Sequence, residues 1–272
     1  MASIRVNSRK LRTLTKFFER SERKIIRQIR DSSLGTIKHR NEVLKQVRDE
    51  IAVLKEVSEN YNEQEIPKMY LRGYKHSDQQ LGRRLAVKGF SLVNKRAIEY
   101  LILETNDAIA ESMTVLYRDV RNSMSRVLRE EVKARIAEGI LTGETRKKIA
   151  SELRDEMTKR GVIGLIDKRG AKWSLTNYTE MLYRTKMVEA HTAGVVNRAL
   201  ESGVDLVQVS RHSGACPLCT PWEGRILSIT GEHKKYPSLE DARSEGLYHA
   251  NCRHRLDVYR PEIARLTKKY RK

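Results

Sequence analysis

The apolar positions of this chain fall first into long helical rows. Leu11, Leu14, Phe18, Ile25 and Ile29 recur at helical steps, giving the first segment one apolar face among charged residues. "SSLG" at 32–35 interrupts the row, and a second helix is expected through "NEVLKQVRDEIAVLKEV". "EQEIPKMYLRGYKHS" then reads as a connector, because Pro67 removes a helical hydrogen bond and Gly73 loosens the backbone. Neither residue type occurs from Phe90 through Glu138. Within that stretch Ile109, Met113, Leu116, Val120, Met124, Val127, Val132 and Ile136 keep mostly to three- and four-residue steps. It is expected to be a very long amphipathic helix, turning if anywhere at "TND" (105–107) and stopping at Gly139.

Past Gly143 the pattern shortens. "TGETRKKIASELRDEM" predicts a helix capped near Thr142, and "RGVIGLIDKRGAKW" has the glycines of a small hairpin. "SLTNYTEMLYRTKMVEAHTAGVVNRALES" predicts another helix, closed by Gly203. "VDLVQVS", "GRILSIT" and "RLDVY" have strand character, and the tail from Pro261 is basic and helical in pattern. Two parts follow: an elongated helical region over 1–140 and a compact α+β domain over 141–272.

Composition changes this picture in one respect. Lys and Arg number 54 against 35 acids, a net charge of +19, and 33% of the chain is charged. Such an excess calls for a polyanion or for acidic partner subunits in a large assembly. Double-stranded DNA, bound without sequence preference, is the expected polyanion. No apolar run approaches the ~18 residues of a membrane span, and the N-terminus lacks the apolar core of a secretory signal. The expected setting is the cytoplasm, with no membrane partner. Walker loops, dinucleotide-binding glycine fingerprints and serine-nucleophile motifs are all missing from the sequence.

The candidate chemistry lies near the C-terminal end. All three cysteines fall in "GACPLCTPW" and "YHANCRH", where Cys216-x2-Cys219 is followed by His249-x2-Cys252. Each pair can present two donors from one tight turn, and together they make a closed Cys3His set for structural zinc. Closing the intervening loop from Thr220 through Tyr248 costs about 3 kcal/mol. Structural zinc supplies about 10–16 kcal/mol. A Cys216–Cys219 disulfide would strand Cys252 in a reducing compartment. A redox pair would need a helix opening where Thr220-Pro221 stands. Three ordinary buried thiols would be the bland alternative. His212, His233 and His254 are nearby spare ligands. A His-Asn-His nuclease built on His249, Asn251 and His254 is the alternative function. Those residues are packed more closely than that mechanism needs, and a zinc-bound His249 could not act as a base.

Three segments together resemble the phage minor capsid family, within the wider Mu-F-like head morphogenesis group. They are "LTGETRKKIASELRD", the run from "YTEMLYRTKMVEAHTAG" through "CPLCTPWEGRILSI", and "GLYHANCRHRLDVY". The specific residues are Arg184 and Thr185, then Cys216, Cys219, Pro221, Trp222 and Gly224, then His249, Asn251, Cys252, Arg253 and His254. The resemblance covers about residues 140 to 260. It implies a minor head protein of the virion, associated with the portal vertex and capsid interior. Portal and capsid proteins are the implied partners, with metal binding at the Cys/His cluster and a role in head assembly. The resulting expectation is a mainly α protein with a zinc-stapled α+β C-terminal domain, ligands Cys216, Cys219, His249 and Cys252, and no enzymatic activity. Trp222 is expected to pack over the metal loop.

Overall fold

The computed structural model describes residues 4, 6, 8–31, 37–82, 91–138, 164–166 and 172–261. It is mainly helical, as the pattern requires. Helices α1 (Ser8–Asp31), α2 (Ile37–Gln80) and α3 (Leu92–Glu138) come first. A short antiparallel hairpin follows, β1 (Gly164–Ile166) with β2 (Lys172–Ser174), and leads into α4 (Leu175–Glu201). Strand β3 (Leu206–Val209) pairs antiparallel with both β4 (Ile226–Ser228) and β5 (Leu256–Val258), with a short helix α5 (Leu239–Ser244) between them in the chain. The expected helix after Thr142, the break at 32–35, the basic tail and the boundary at 140/141 lie outside the described residues.

The chain forms two compact units, and each draws on segments from both sides of residue 140. One comprises Arg9–Tyr61 and Asn106–Glu180. Its buried residues include the predicted stripes, Leu11, Leu14, Phe18 and Ile25 of α1 and Ile109, Met113, Leu116, Val120 and Met124 of α3, together with Val47, Ile51 and Leu54 of α2. Side chains beyond this, including Ile29, Val127, Val132 and Ile136, lie outside the described set. Polar ties set the register: Ser21 donates to Glu50 at 2.6 Å, and Arg48 reaches the Tyr117 hydroxyl at 2.7 Å.

The other unit comprises Met1–Ser8, Asn62–Thr105 and Met181–Lys272, and here two expectations fail. Residues around Pro67 are not a connector; α2 runs through them for 44 residues in all. Ile66, Met69 and Tyr70 beside the proline are buried. Each such side chain contributes roughly 1.5–3 kcal/mol, together more than the ~3 kcal/mol a mid-helix proline costs. Gly73 is likewise a packing residue, because a Cβ there would stand 1.8 Å from the His191 carbonyl oxygen. Gly194 answers it from α4, where a Cβ would stand 2.1 Å from the Tyr70 carbonyl oxygen. Nor does α3 turn at 105–107. Thr105 is buried and donates its hydroxyl to the Leu101 carbonyl at 2.6 Å, which satisfies inside the helix the group that would have capped a turn.

A polar network joins the helices of this unit. Tyr70 donates to Asn94 at 2.6 Å, Asn94 and Tyr74 donate to Glu201, and Arg198 pairs with Asp78 at 2.6 Å with both side chains nearly buried. The sheet is moored to α2 through Asp257, which lies 2.7 Å from His76 Nε2 and accepts from Gln80 at 2.8 Å. Val207, at the centre of the sheet, pairs with Leu227 on one side and Val258 on the other. Its buried neighbours include Val195, Val209, Leu239, Leu247 and Leu256, with Cys219, Trp222 and Cys252 in the same cluster.

Candidate metal centre

Two tight turns carry the cysteines. At Cys216–Cys219 the N–H groups of Cys219 and Thr220 both donate to the Cys216 carbonyl, at 3.0 and 2.9 Å. The turn passes into a 3-10 segment, Thr220–Trp222, opened by Pro221. In the second turn the Cys252 N–H donates to the His249 carbonyl at 2.9 Å. Tyr248 and Asn251 flank His249 with left-handed backbone, φ 65° and 64°, a conformation few residues other than glycine and asparagine adopt. The Asn251 N–H donates to Thr185 Oγ1 of α4 at 3.2 Å, so the Thr185 singled out in the sequence positions this turn. Trp222 is buried in the same apolar cluster, with the Arg225 guanidinium 5.2 Å from its ring centre.

These turns bring five donors together. Cys216, Cys219 and His249 form one group, with donor atoms all within 4.8 Å of one another; Cys219, Cys252 and His254 form a second to the same limit. Cys219 belongs to both. The four residues chosen from spacing are therefore gathered around it but divided between two groups. His254 joins them, while His212 and His233 belong to neither.

Ligands ~2.0–2.3 Å from a tetrahedral ion stand roughly 3.8 Å apart for two sulfurs and roughly 3.5 Å for sulfur and nitrogen. The Cys219–Cys252 sulfurs are 3.7 Å apart, and Cys252 Sγ lies 3.4 Å from His254 Nδ1. Both match. Cys216 Sγ and His249 Nε2 are closer, at 2.9 Å, the separation of a hydrogen bond rather than of two ligands on one ion. His254 has the outer support that ligating histidines usually have: its Nε2 lies 3.0 Å from the Glu223 carboxylate, which leaves Nδ1 free to coordinate. His249 is braced more lightly, its Nδ1 donating to the Ala250 carbonyl at 2.7 Å.

Electrostatics favour a cation here. Burial, and then the neighbouring Cys252 and Cys216 sulfurs, push the Cys219 thiol far up. The Cys216 thiol moves down: burial opposes its ionisation, but backbone N–H groups of Cys219 and Leu218 outweigh it. Burial also holds the His254 imidazole below its ordinary range despite the opposing pull of Glu223. A neutral imidazole, a Cys216 thiol eased toward ionisation and a Cys219 thiol that needs positive charge beside it are donors a divalent metal takes. The residues present fit zinc. Spacing alone had left His254 among spares and gave no sign of Glu223, since its position thirty-one residues upstream becomes informative only once the loop closes.

Comparison with known proteins places these features in one family. The family described as phage minor capsid protein 2 matches residues 16–271. A structural protein of Lactococcus phage LL-H is 29% identical over 114 residues, covering 39% of this chain and 31% of that relative. No solved structure matches. No described helix is long and apolar enough to cross a membrane. With a match running through the helices and on through both turns of the Cys/His cluster, the chain belongs to the phage minor capsid protein 2 family.

Proposed function

We propose that this chain is a non-enzymatic structural protein of the phage head, placed at the portal vertex and capsid interior, whose C-terminal knuckle is stapled by one zinc ion. The observation that supports the staple is the pair of three-donor groups that share Cys219, the second of them fully buried. Cys216, Cys219 and Cys252 would supply three thiolates. Of the two histidines, His254 is the stronger fourth ligand, because it is 1% exposed and braced by Glu223. His249, the ligand chosen from spacing, would then stand beside the Cys216 sulfur, 2.9 Å away, as an outer neighbour of the ion. Zinc supplies in such a site the bond energy that joins two turns and the charge that keeps thiols ionised. The same burial weighs against a His-Asn-His nuclease, since a His254 enclosed in the core and engaged by Glu223 cannot reach a phosphate.

The assembly role is tested on purified virions. Cross-linking and mass spectrometry are expected to find this chain in the particle, linked to the portal protein; its absence from virions would overturn the reading. DNA contact is proposed as a secondary property of the +19 charge. Neutralising about six phosphates lowers affinity roughly a thousandfold between ~50 and ~200 mM salt. Affinity that stays level over that range would assign the charge to protein partners instead.

A further inference from the structure

Beside the knuckle lies a cavity of about 510 Å3, within the range that holds ligands. Its apolar walls include Ala97 and Leu101 of α3, Val188 of α4 and Leu247. Two hydroxyls on these walls are buried with no partner among the described residues, and an exposed guanidinium stands beside them. Thr192 is 1% exposed, and its hydroxyl has no partner, although the helical Thr105 and Thr185 each bond the carbonyl four residues back. The Tyr248 hydroxyl is buried and equally unpartnered. The Arg243 guanidinium also lines the cavity and makes no ion pair among the described residues.

The guanidinium can only donate and both hydroxyls can donate, so an acceptor is the one kind of group that suits all three. Buried donors left unmade are a standing loss of stability, which a ligand would remove. The acids of the same wall are already engaged: Lys186 Nζ lies 2.7 Å from Glu104 and 2.9 Å from Glu189. Tyr248 lines this wall from a left-handed backbone, φ 65°.

The apolar surface does not stop at the cavity. Val93, on the face of α3 that carries Ala97 and Tyr100, is 64% exposed, and Tyr100 itself is 66% exposed. An exposed apolar row leading into a cavity suits a polypeptide rather than a small solute. We propose that this cavity docks a segment of a partner protein that presents a large apolar side chain with a carboxylate beside it. The apolar side chain would fill the space between α3 and α4, and the carboxylate would accept from Arg243 and Tyr248. The proposal goes beyond the structural role above and rests on the knuckle being folded. Metal content is therefore measured on the same sample, so that failure of one idea is not mistaken for failure of the other.

The test is a titration of the full chain, followed by the methyl resonances of Ala97, Leu101, Val188 and Leu247. N-acetyltryptophan is expected to bind saturably, and N-acetyltryptophanamide, which lacks the carboxylate, about tenfold more weakly. A pentapeptide, Leu-Asp-Trp-Asp-Leu, should bind at least about tenfold more tightly than N-acetyltryptophan by adding contact along Val93. Arg243→Gln should bring the acid and amide to within about twofold, and Tyr100→Ala should weaken both. Both side chains are exposed, so neither change threatens the fold. Equal affinity for acid and amide, a ratio unaffected by Arg243→Gln, or a peptide no tighter than the single residue would each overturn the proposal.

Discussion

Cys219 is the residue on which both donor groups turn, and His254 separates two versions of the site. If the ion is held as proposed, His254→Ala removes a ligand from the interior and leaves Glu223 facing an empty space. That variant should lose most of its bound zinc, as measured by inductively coupled plasma mass spectrometry. His212→Ala should retain it, because His212 stacks on His254 with ring centres 4.3 Å apart but contributes to neither donor group. His249→Ala should also retain the metal, though held less firmly once the Cys216 sulfur loses its 2.9 Å neighbour. Full zinc in His254→Ala with loss in His249→Ala would restore the ligand set chosen from spacing.

At the scale of elements, the crossing of α2 and α4 rests on two residues without side chains. Gly73→Ala tests it, because local and tertiary effects have opposite signs. Helix propensity alone favours alanine by about 1 kcal/mol. The added Cβ would meet the His191 carbonyl oxygen at 1.8 Å, and backbone cannot swing aside as a side chain can. The expected net loss is about 2 kcal/mol or more in urea unfolding; a stabilised variant would refute the close crossing. The same pair of helices shows where sequence stops being legible. The stripes of α1 and α3, the hairpin, α4 and its Gly203 stop, and all three strands could be read from period and turn residues, because those signals are local. Pro67, Gly73 and Thr105 were read as interruptions by the same local logic. Each is overruled by something distant or internal: buried neighbours, a partner helix, or a bond back to the preceding turn. In the knuckle, Cys-x2-Cys and His-x2-Cys were visible as half-sites, but the choice between histidines depends on burial and on Glu223, which no spacing encodes.

For the molecule as a whole, membership in a phage minor capsid family and the donor geometry support one account, a structural protein with a metal-fastened module. The apolar cluster around Val207 includes Cys219 and Cys252, so a metal held by these two would fasten the same loop as the core. Structural zinc contributes about 10–16 kcal/mol where folding and binding are shared, comparable with the cluster's buried apolar side chains at roughly 1.5–3 kcal/mol each. The most direct measurement is therefore native mass spectrometry of the purified full chain before and after chelation, with hydrogen exchange followed across 206–258. The account predicts one zinc per chain, and loss of protection in that segment when the zinc is removed while α1 and the first part of α2 stay protected. Metal-free protein with the segment fully protected would contradict it, and the cysteines would then be ordinary core residues.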